Sequence, residues 1–231
     1  MLKERRIIED VLPPDQEEMV SEFLRNERTS LDAQRFAELE RFTRSFCAHA
    51  QGVDWKAYVK QSRLECRFRL TPHILPSLFG KPYGTTDWIN DEVNEVSFPA
   101  DAPFSYVLSA LPKSEKPYEF LPWTELGALS CTPDFEQNRL LVEQLQGERL
   151  HNAKKMLRHL GLPHRQPNVT EVLFDIACGF ARSQGMKIAI RKPEAARRVV
   201  QVRNNNGAET PYSRVAKLWD LKPSRIYFEE S

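Results

Sequence analysis

The sequence predicts an α+β protein, with N-terminal helices followed by a mixed, mainly antiparallel sheet that contains a strand–helix–helix–strand crossover. Three observations carry this reading. Residues 62–70 alternate apolar and charged side chains, the period of a half-buried strand. Pro99, Pro103, Pro112, Pro117 and Pro122 then punctuate a series of short apolar runs, which favours strands joined by turns. After residue 147 the apolar period changes from 2 to that of a helix, so strand and helix alternate from there on.

Each element follows from local chemistry. Pro13-Pro14-Asp15 can open a helix that carries Met19, Phe23 and Leu24. A second helix is expected from Ser30 or Asp32, with Phe36, Leu39, Phe42 and Phe46 on one face. These helices define an N-terminal segment, residues 1–56, ahead of a domain covering 57–231. In the first strand Leu64, Cys66, Phe68 and Leu70 point one way, and Glu65, Arg67 and Arg69 the other. Residues 71–93 are rich in Pro, Gly and Thr and are expected as a long loop anchored by Trp88. Strands are expected at 95–98, 104–110, 125–131 and 139–145. Leu150, Ala153, Leu157 and Leu160 form one face of a helix ending at Gly161. Asn168 or Thr170 can cap the next helix, which carries Val172, Leu173, Ile176, Ala177, Phe180 and Ala181. A buried strand at 186–190, a further strand at 198–203, a helix over 212–219 and a closing strand at 225–229 complete the order. The crossover from 139–145 to 186–190 should make those two strands parallel, with a ligand at their ends.

Composition bounds the function. With 231 residues, 41% hydrophobic and 28% charged, the chain can build a large core and keep a polar surface. No apolar run approaches the roughly 20 residues of a bilayer span. Residues 1–10 carry acids among their bases and no apolar stretch, so no secretory leader is expected and a cytoplasmic setting is. Cys47, Cys66, Cys131 and Cys178 form no paired motif and are expected as buried free thiols. His151, His159 and His164 lack ligand spacing, so no metal is expected. Between Glu148 and Arg225 stand 16 Lys/Arg against 6 Asp/Glu, in a chain of net charge +1. That segment offers a field for an anion.

The most informative stretch runs from Leu140 to Arg149, where an apolar run stops at Gln146-Gly147 and a basic amphipathic helix pattern begins. Unpaired amides at such a junction can bind phosphate. Leu145, Gln146, Gly147, Glu148, Arg149 and Lys154 are the expected cofactor-binding residues, with an anionic cofactor held at the 146–149 loop. Tyr212 is the candidate general acid. Glu143, at the end of a strand, is the first candidate base and Glu125 the second. Arg191, Lys192, Arg197, Arg198 and Arg203 form the densest basic group, but no aromatic residue lies between 186 and 211 to stack a base.

This order of elements resembles the GCN5-related N-acetyltransferase architecture. The carrying pieces are the strand 139–145, the turn at Gln146-Gly147, the helix that follows, the strand at 186–190, Tyr212 on a late helix and the last strand. In place of that superfamily's Q/R-x-x-G-x-G/A loop the chain has Gln144-Leu145-Gln146-Gly147-Glu148-Arg149, with one glycine, and two helices stand where one is usual. The last 110 or so residues are also similar to the VirK/YbjX family, through Leu145-Gln146-Gly147, Ala177-Cys178 with Phe180-Ala181, Ile188-Ala189-Ile190, and Tyr212 with Trp219. The resemblance implies acyl-CoA as cofactor, an amine on a small molecule or protein as acceptor, and an acyl-CoA-dependent N-acyltransferase or its descendant. Two other functions fit the residues. One is nucleic-acid binding through the basic segment 187–203. The other is a non-catalytic partner-binding protein on the same frame, using its N-terminal helices.

Overall fold

The structure is a computed structural model and describes residues 12–58, 66–81, 85, 87–91, 96–112, 124–147, 169–192 and 210–230. Contacts divide the chain into two compact units, Met1–Gly52 and Val53–Ser231.

The first unit is a pair of helices, α1 (Pro14–Glu27) and α2 (Ala33–Gln51). Pro14 starts α1, and Asp15 and Glu17 lie in its first turn, where negative charge suits the helix dipole. The Asp32 carboxylate caps α2 by accepting the Arg35 N–H at 2.9 Å. Val20, Phe23 and Leu24 of α1 are buried, as are Leu39, Phe42 and Phe46 of α2. Arg44 reaches from α2 to the Glu17 carboxylate at 2.8 and 2.9 Å.

The second unit opens with the short helix α3 (Trp55–Tyr58) and is built on a seven-stranded sheet. Its strands are β1 (Cys66–Ile74), β4 (Phe104–Pro112), β5 (Thr124–Asp134), β6 (Arg139–Gly147), β7 (Lys187–Arg191), β8 (Lys222–Pro223) and β9 (Tyr227–Glu229), in the order β1-β4-β5-β6-β7-β9-β8. Strands β2 (Asp87–Asp91) and β3 (Val96–Ala100) pair separately. Every pair in the large sheet is antiparallel except β6–β7. Helix α4 (Val169–Ser183) lies between β6 and β7 in sequence, and α5 (Pro211–Leu218) precedes the last two strands. The class is therefore the expected α+β with a mixed, mostly antiparallel sheet.

The two faces of this sheet differ. A side chain built at Gly127 would strike the Val169 Cγ1 atom at 2.7 Å, so the Gly127 face of β5 looks toward α4. Alternation puts Leu129 and Cys131 on that face and Ala128, Ser130 and Thr132 on the other. The second face carries its own apolar cluster of Val107 and Ala128 with Leu78, Ile89 and Ala100. Thus β2, β3 and the 3-10 turn Pro76–Leu78 cover part of it.

Several expectations need correction. The first strand runs to Ile74, into the segment expected as a loop, because Thr71 to Ile74 go on pairing with β4 as far as Ile74 opposite Phe104. Pro72 is tolerated there because β1 is an edge strand. The rest of that segment contains the 3-10 turn and β2. Trp88 lies in a strand, β2, opposite Pro99, and is 54% exposed. The strand expected at 139–145 extends to Gly147. The helix expected after residue 149 and the strand at 198–203 lie outside the described residues. Cys47, Cys131 and Cys178 are buried free thiols. Among the described residues no helix is long and apolar enough to cross a membrane, and no three metal-ligating side chains cluster.

Candidate functional site

The site forms where β6 and β7 stop pairing. Their parallel ladder runs from Arg139 opposite Lys187 to Val142 opposite Ile190 and goes no further. Beyond it, among the described residues, β6 continues for five residues along β5 alone, with Leu145 opposite Leu129 and Gly147 opposite Gly127. The parting coincides with a bulge. Val142 pairs with Cys131 and Gln144 with Ser130, which leaves Glu143 as the extra residue. A bulge bends its strand and re-aims the side chain it carries.

That side chain enters a buried polar cluster. Glu143 and Arg191 are ion-paired through Arg191 Nε, with side-chain exposures of 7% and 8%. The Arg191 Nη2 group donates to the Tyr227 hydroxyl at 2.8 Å, and that hydroxyl donates to the other Glu143 oxygen at 3.1 Å. The guanidinium also lies 4.9 Å from the Tyr227 ring centroid. Three strands are thereby tied together at the point of parting. Burial, and then the Glu143 charge, push the Tyr227 phenol well above its ordinary pKa, so it serves as a neutral donor. Glu143 also lines a cavity of about 230 Å³ on the face away from α4.

Tyr212 occupies the other side of the parting. The Leu145 N–H has no β7 partner and donates instead to the Tyr212 hydroxyl at 3.0 Å. Thr210 starts α5 by accepting the Ser213 N–H at 3.1 Å, and Pro211 follows as its first residue. Tyr212 therefore sits in the first turn. The helix is held to α4 by Arg214 with Glu171 at 2.6 Å, and by the edge of Trp219 against Phe174 at 5.3 Å.

The expected residues divide accordingly. Tyr212 and Glu143 both meet the parting of β6 and β7, on different elements. Leu145 contributes its backbone N–H there. Gln146 and Gly147 are strand residues opposite Ala128 and Gly127, not loop residues. Gly127 makes this possible, since a Cβ there would lie 2.5 Å from the Gln146 carbonyl oxygen. Glu148, Arg149 and Lys154 lie outside the described residues. Glu125 stands in β5 opposite Ser109, on the side toward β4. In the basic group, Arg191 is committed to Glu143 and Tyr227. Lys192 is bonded through its ammonium to the Ser224 carbonyl and sits 5.3 Å from the Phe228 ring centroid.

Arg191 and Tyr227 escape a motif search. A signal for the pair was nonetheless present. A carboxylate directly after the apolar run Leu140-Leu141-Val142 and a cation closing Ile188-Ala189-Ile190 are two charges in neighbouring buried strands, which must find each other.

No family model and no curated protein matches this chain. A solved structure, that of nourseothricin acetyltransferase, is similar over 55% of this chain and 73% of its own, with a TM-score of 0.26 and 16% identity. A likeness at that level assigns neither fold nor function.

Proposed function

We propose that the protein transfers an acyl group from acyl-CoA to an amine at the parting of β6 and β7. One observation carries this. A backbone N–H and a phenolic hydroxyl, Leu145 and Tyr212, meet at 3.0 Å where two parallel strands separate. An amide that a side chain satisfies, in place of a ladder carbonyl, can exchange that partner for a substrate oxygen at little cost. Acyl-CoA would supply an activated thioester carbonyl, and the chain would supply the groups around it.

In this reading Leu145 N–H donates to the carbonyl oxygen as negative charge develops on it, the role of an oxyanion donor. Tyr212 gives its proton to the departing sulfur. The acceptor nitrogen forms the new C–N bond as the C–S bond breaks. Glu143 takes the proton that nitrogen sheds, since among the described residues each of its oxygens has one hydrogen-bond partner and a carboxylate oxygen can accept a second. An ammonium acceptor releases one proton overall. Gln146 and Gly147, with Glu148, Arg149 and Lys154 beyond them, would hold the phosphates.

The test measures thiol release from acetyl-CoA and a longer acyl-CoA with a mixture of amines, alongside melting temperature. Saturating acyl-CoA should raise the melting temperature by several degrees, because about 100 times the dissociation constant adds about 2.7 kcal/mol. Tyr212→Phe should lower kcat by about 10²–10⁴-fold while the melting shift survives. Absence of both the shift and thiol release would sink the proposal.

A further inference from the structure

We infer that Arg191 and Tyr227 are positioning residues, which keep the Glu143 carboxylate ionised and oriented as the proton acceptor at the parting of β6 and β7. The reaction rests on the acyl-transfer reading, but the holding of the carboxylate rests on its own geometry and has its own readout. A carboxylate that takes a proton from an amine must carry its charge before the substrate arrives. Glu143 carries it almost out of water, 7% exposed on the bulge of β6, where an unpaired charge is costly. Arg191, the last residue of β7, supplies the opposite charge through its Nε group. Tyr227, the first residue of β9, donates its hydroxyl to the second carboxylate oxygen at 3.1 Å. The same guanidinium reaches that hydroxyl through Nη2 at 2.8 Å. Two donors from two strands therefore hold the two oxygens, and the plane of the carboxylate is set. Each oxygen can accept a second hydrogen bond, and Glu143 lines a cavity through which an amine can approach.

The two holders are fixed in turn. Arg191 and Tyr227 face each other across the β7–β9 ladder, with the guanidinium 4.9 Å from the ring centroid. The Arg139 guanidinium lies 5.5 Å from the same centroid and is ion-paired to Asp134 at 3.0 Å. The Lys192 N–H donates to the Ile226 carbonyl at 2.8 Å, which carries the β7–β9 bonding past Arg191, and the Ser224 N–H closes the turn onto the Tyr227 carbonyl at 2.8 Å. Such fixing matters for a reacting group, because a misplacement of about 1 Å can cost on the order of 10²-fold in rate. Stability alone is a weak reason for the arrangement, since apolar side chains of similar volume often stabilise a buried position as well as an ion pair does. The β6–β7 ladder uses that apolar solution, with Leu140, Val142, Ile188 and Ile190 all buried. The charged pair comes directly after the last ladder pair, Val142 opposite Ile190, and two residues from Leu145. During transfer an N–H bond of the acceptor breaks and an O–H bond forms on Glu143. The proton then passes to water, because a neutral Glu143 leaves the buried Arg191 charge unbalanced.

The experiment uses the full chain and two readouts. Thiol release from acetyl-CoA with a mixture of amines gives kcat and KM. The infrared difference on making Glu143→Gln, in the wild-type chain and in each variant, isolates the Glu143 carboxyl band without any acyl-CoA. Tyr227→Phe removes one oxygen and little volume, and its melting temperature shows that it is folded. It should lower kcat by about 10–100-fold and leave KM for acetyl-CoA unchanged. It should also shift the carboxylate band, because one hydrogen bond to the carboxylate is gone. Arg191→Lys keeps the charge and loses the fork, so its kcat should fall between those of the wild type and Arg191→Met. Wild-type kcat in both Tyr227→Phe and Arg191→Lys, with Glu143→Gln inactive, would overturn the positioning roles and leave acyl transfer standing. No thiol release from the wild-type chain, with an ionised carboxylate band that shifts in Tyr227→Phe, would keep the positioning roles and remove acyl transfer. A carboxylic acid band in the wild-type chain at pH 7, or a carboxylate band unmoved in Tyr227→Phe, would overturn the inference outright.

Discussion

The two ends of β6 are built on different principles. From Arg139 to Val142 the strand is bonded on both sides by backbone, to β5 and to β7. Leu140 and Val142 are fully buried there. From Glu143 to Gly147 the strand keeps β5 and loses β7. Side chains from distant segments take over, with Arg191 and Tyr227 on the Glu143 carboxylate and Tyr212 on the Leu145 N–H. A backbone ladder tolerates many side chains, whereas a strand end satisfied by side chains depends on each of them. Substitutions should therefore cost volume at the first end and hydrogen bonds or charge at the second.

The largest effect expected is at the ion pair. Arg191→Met leaves Glu143 buried with its charge uncompensated, and should cost about 3–5 kcal/mol in urea unfolding. Adding Glu143→Gln to the same chain should recover part of that loss, because the remaining partner is then neutral. A single-variant cost below about 1 kcal/mol would show that the ion pair does not hold the open end.

Next comes the pair of glycines facing each other across β5 and β6. Gly127→Ala drives a methyl group to 2.5 Å from a backbone oxygen and 2.7 Å from Val169, whereas at Gly147 the nearest contact is a Thr170 methyl at 3.4 Å. Backbone cannot give way cheaply, so Gly127→Ala should cost about 1–3 kcal/mol. Gly147→Ala should stay within about 0.5 kcal/mol. Equal costs measured by thermal unfolding would mean that the close approach of β6 to Gly127 is not required.

These contrasts mark how much the sequence made legible. The sheet class, the parallel β6–β7 pair, the helix over Val169–Ser183 and Tyr212 near the start of a late helix all follow from periodicity and capping. Such signals are local, and local signals survive without the rest of the fold. The strand extension to Gly147 was not legible, because it depends on Gly127, some twenty residues earlier, having no side chain. The role of Arg191 was hidden for the same reason. In sequence it stands among Lys192, Arg197 and Arg198 and looks like part of a basic surface, while in space its neighbours are Glu143 and Tyr227. Trp88 shows the opposite failure. A large aromatic suggests an anchor, yet alternation in a two-stranded ribbon leaves it exposed.

A smaller effect separates stability from chemistry at the open end. Tyr212→Phe removes one hydrogen bond from the Leu145 N–H and should cost about 0.5–1.5 kcal/mol of stability. That loss is modest beside the change expected in kcat, and circular dichroism melting of the same protein preparation gives the ratio. A destabilisation of about 3 kcal/mol or more would mean that the hydroxyl is chiefly a structural plug.

The smallest effect comes from a thiol on the helix packed against the sheet's α4 face. Cys178 is 1% exposed, and burial above all, with Asp175 and Glu230 adding and Arg182 opposing, pushes its pKa from 9.0 up to about 12. The sign follows from which state holds the proton. Below pH 9.0 the thiol is protonated in both folded and unfolded chains and its full contribution is present. Between pH 9.0 and about 12 the unfolded chain gives up the proton while the folded chain keeps it, so stability falls as pH rises. Over the first half unit above pH 9.0 the loss should be less than about 1 kcal/mol. Cys178→Ala should show a shallower decline over that window when urea midpoints are compared at pH 8, 9 and 9.5. Parallel declines in the two proteins would mean that water reaches the thiol in the folded state, and that α4 seats less tightly on the sheet than the burial of Leu173, Phe174 and Phe180 requires.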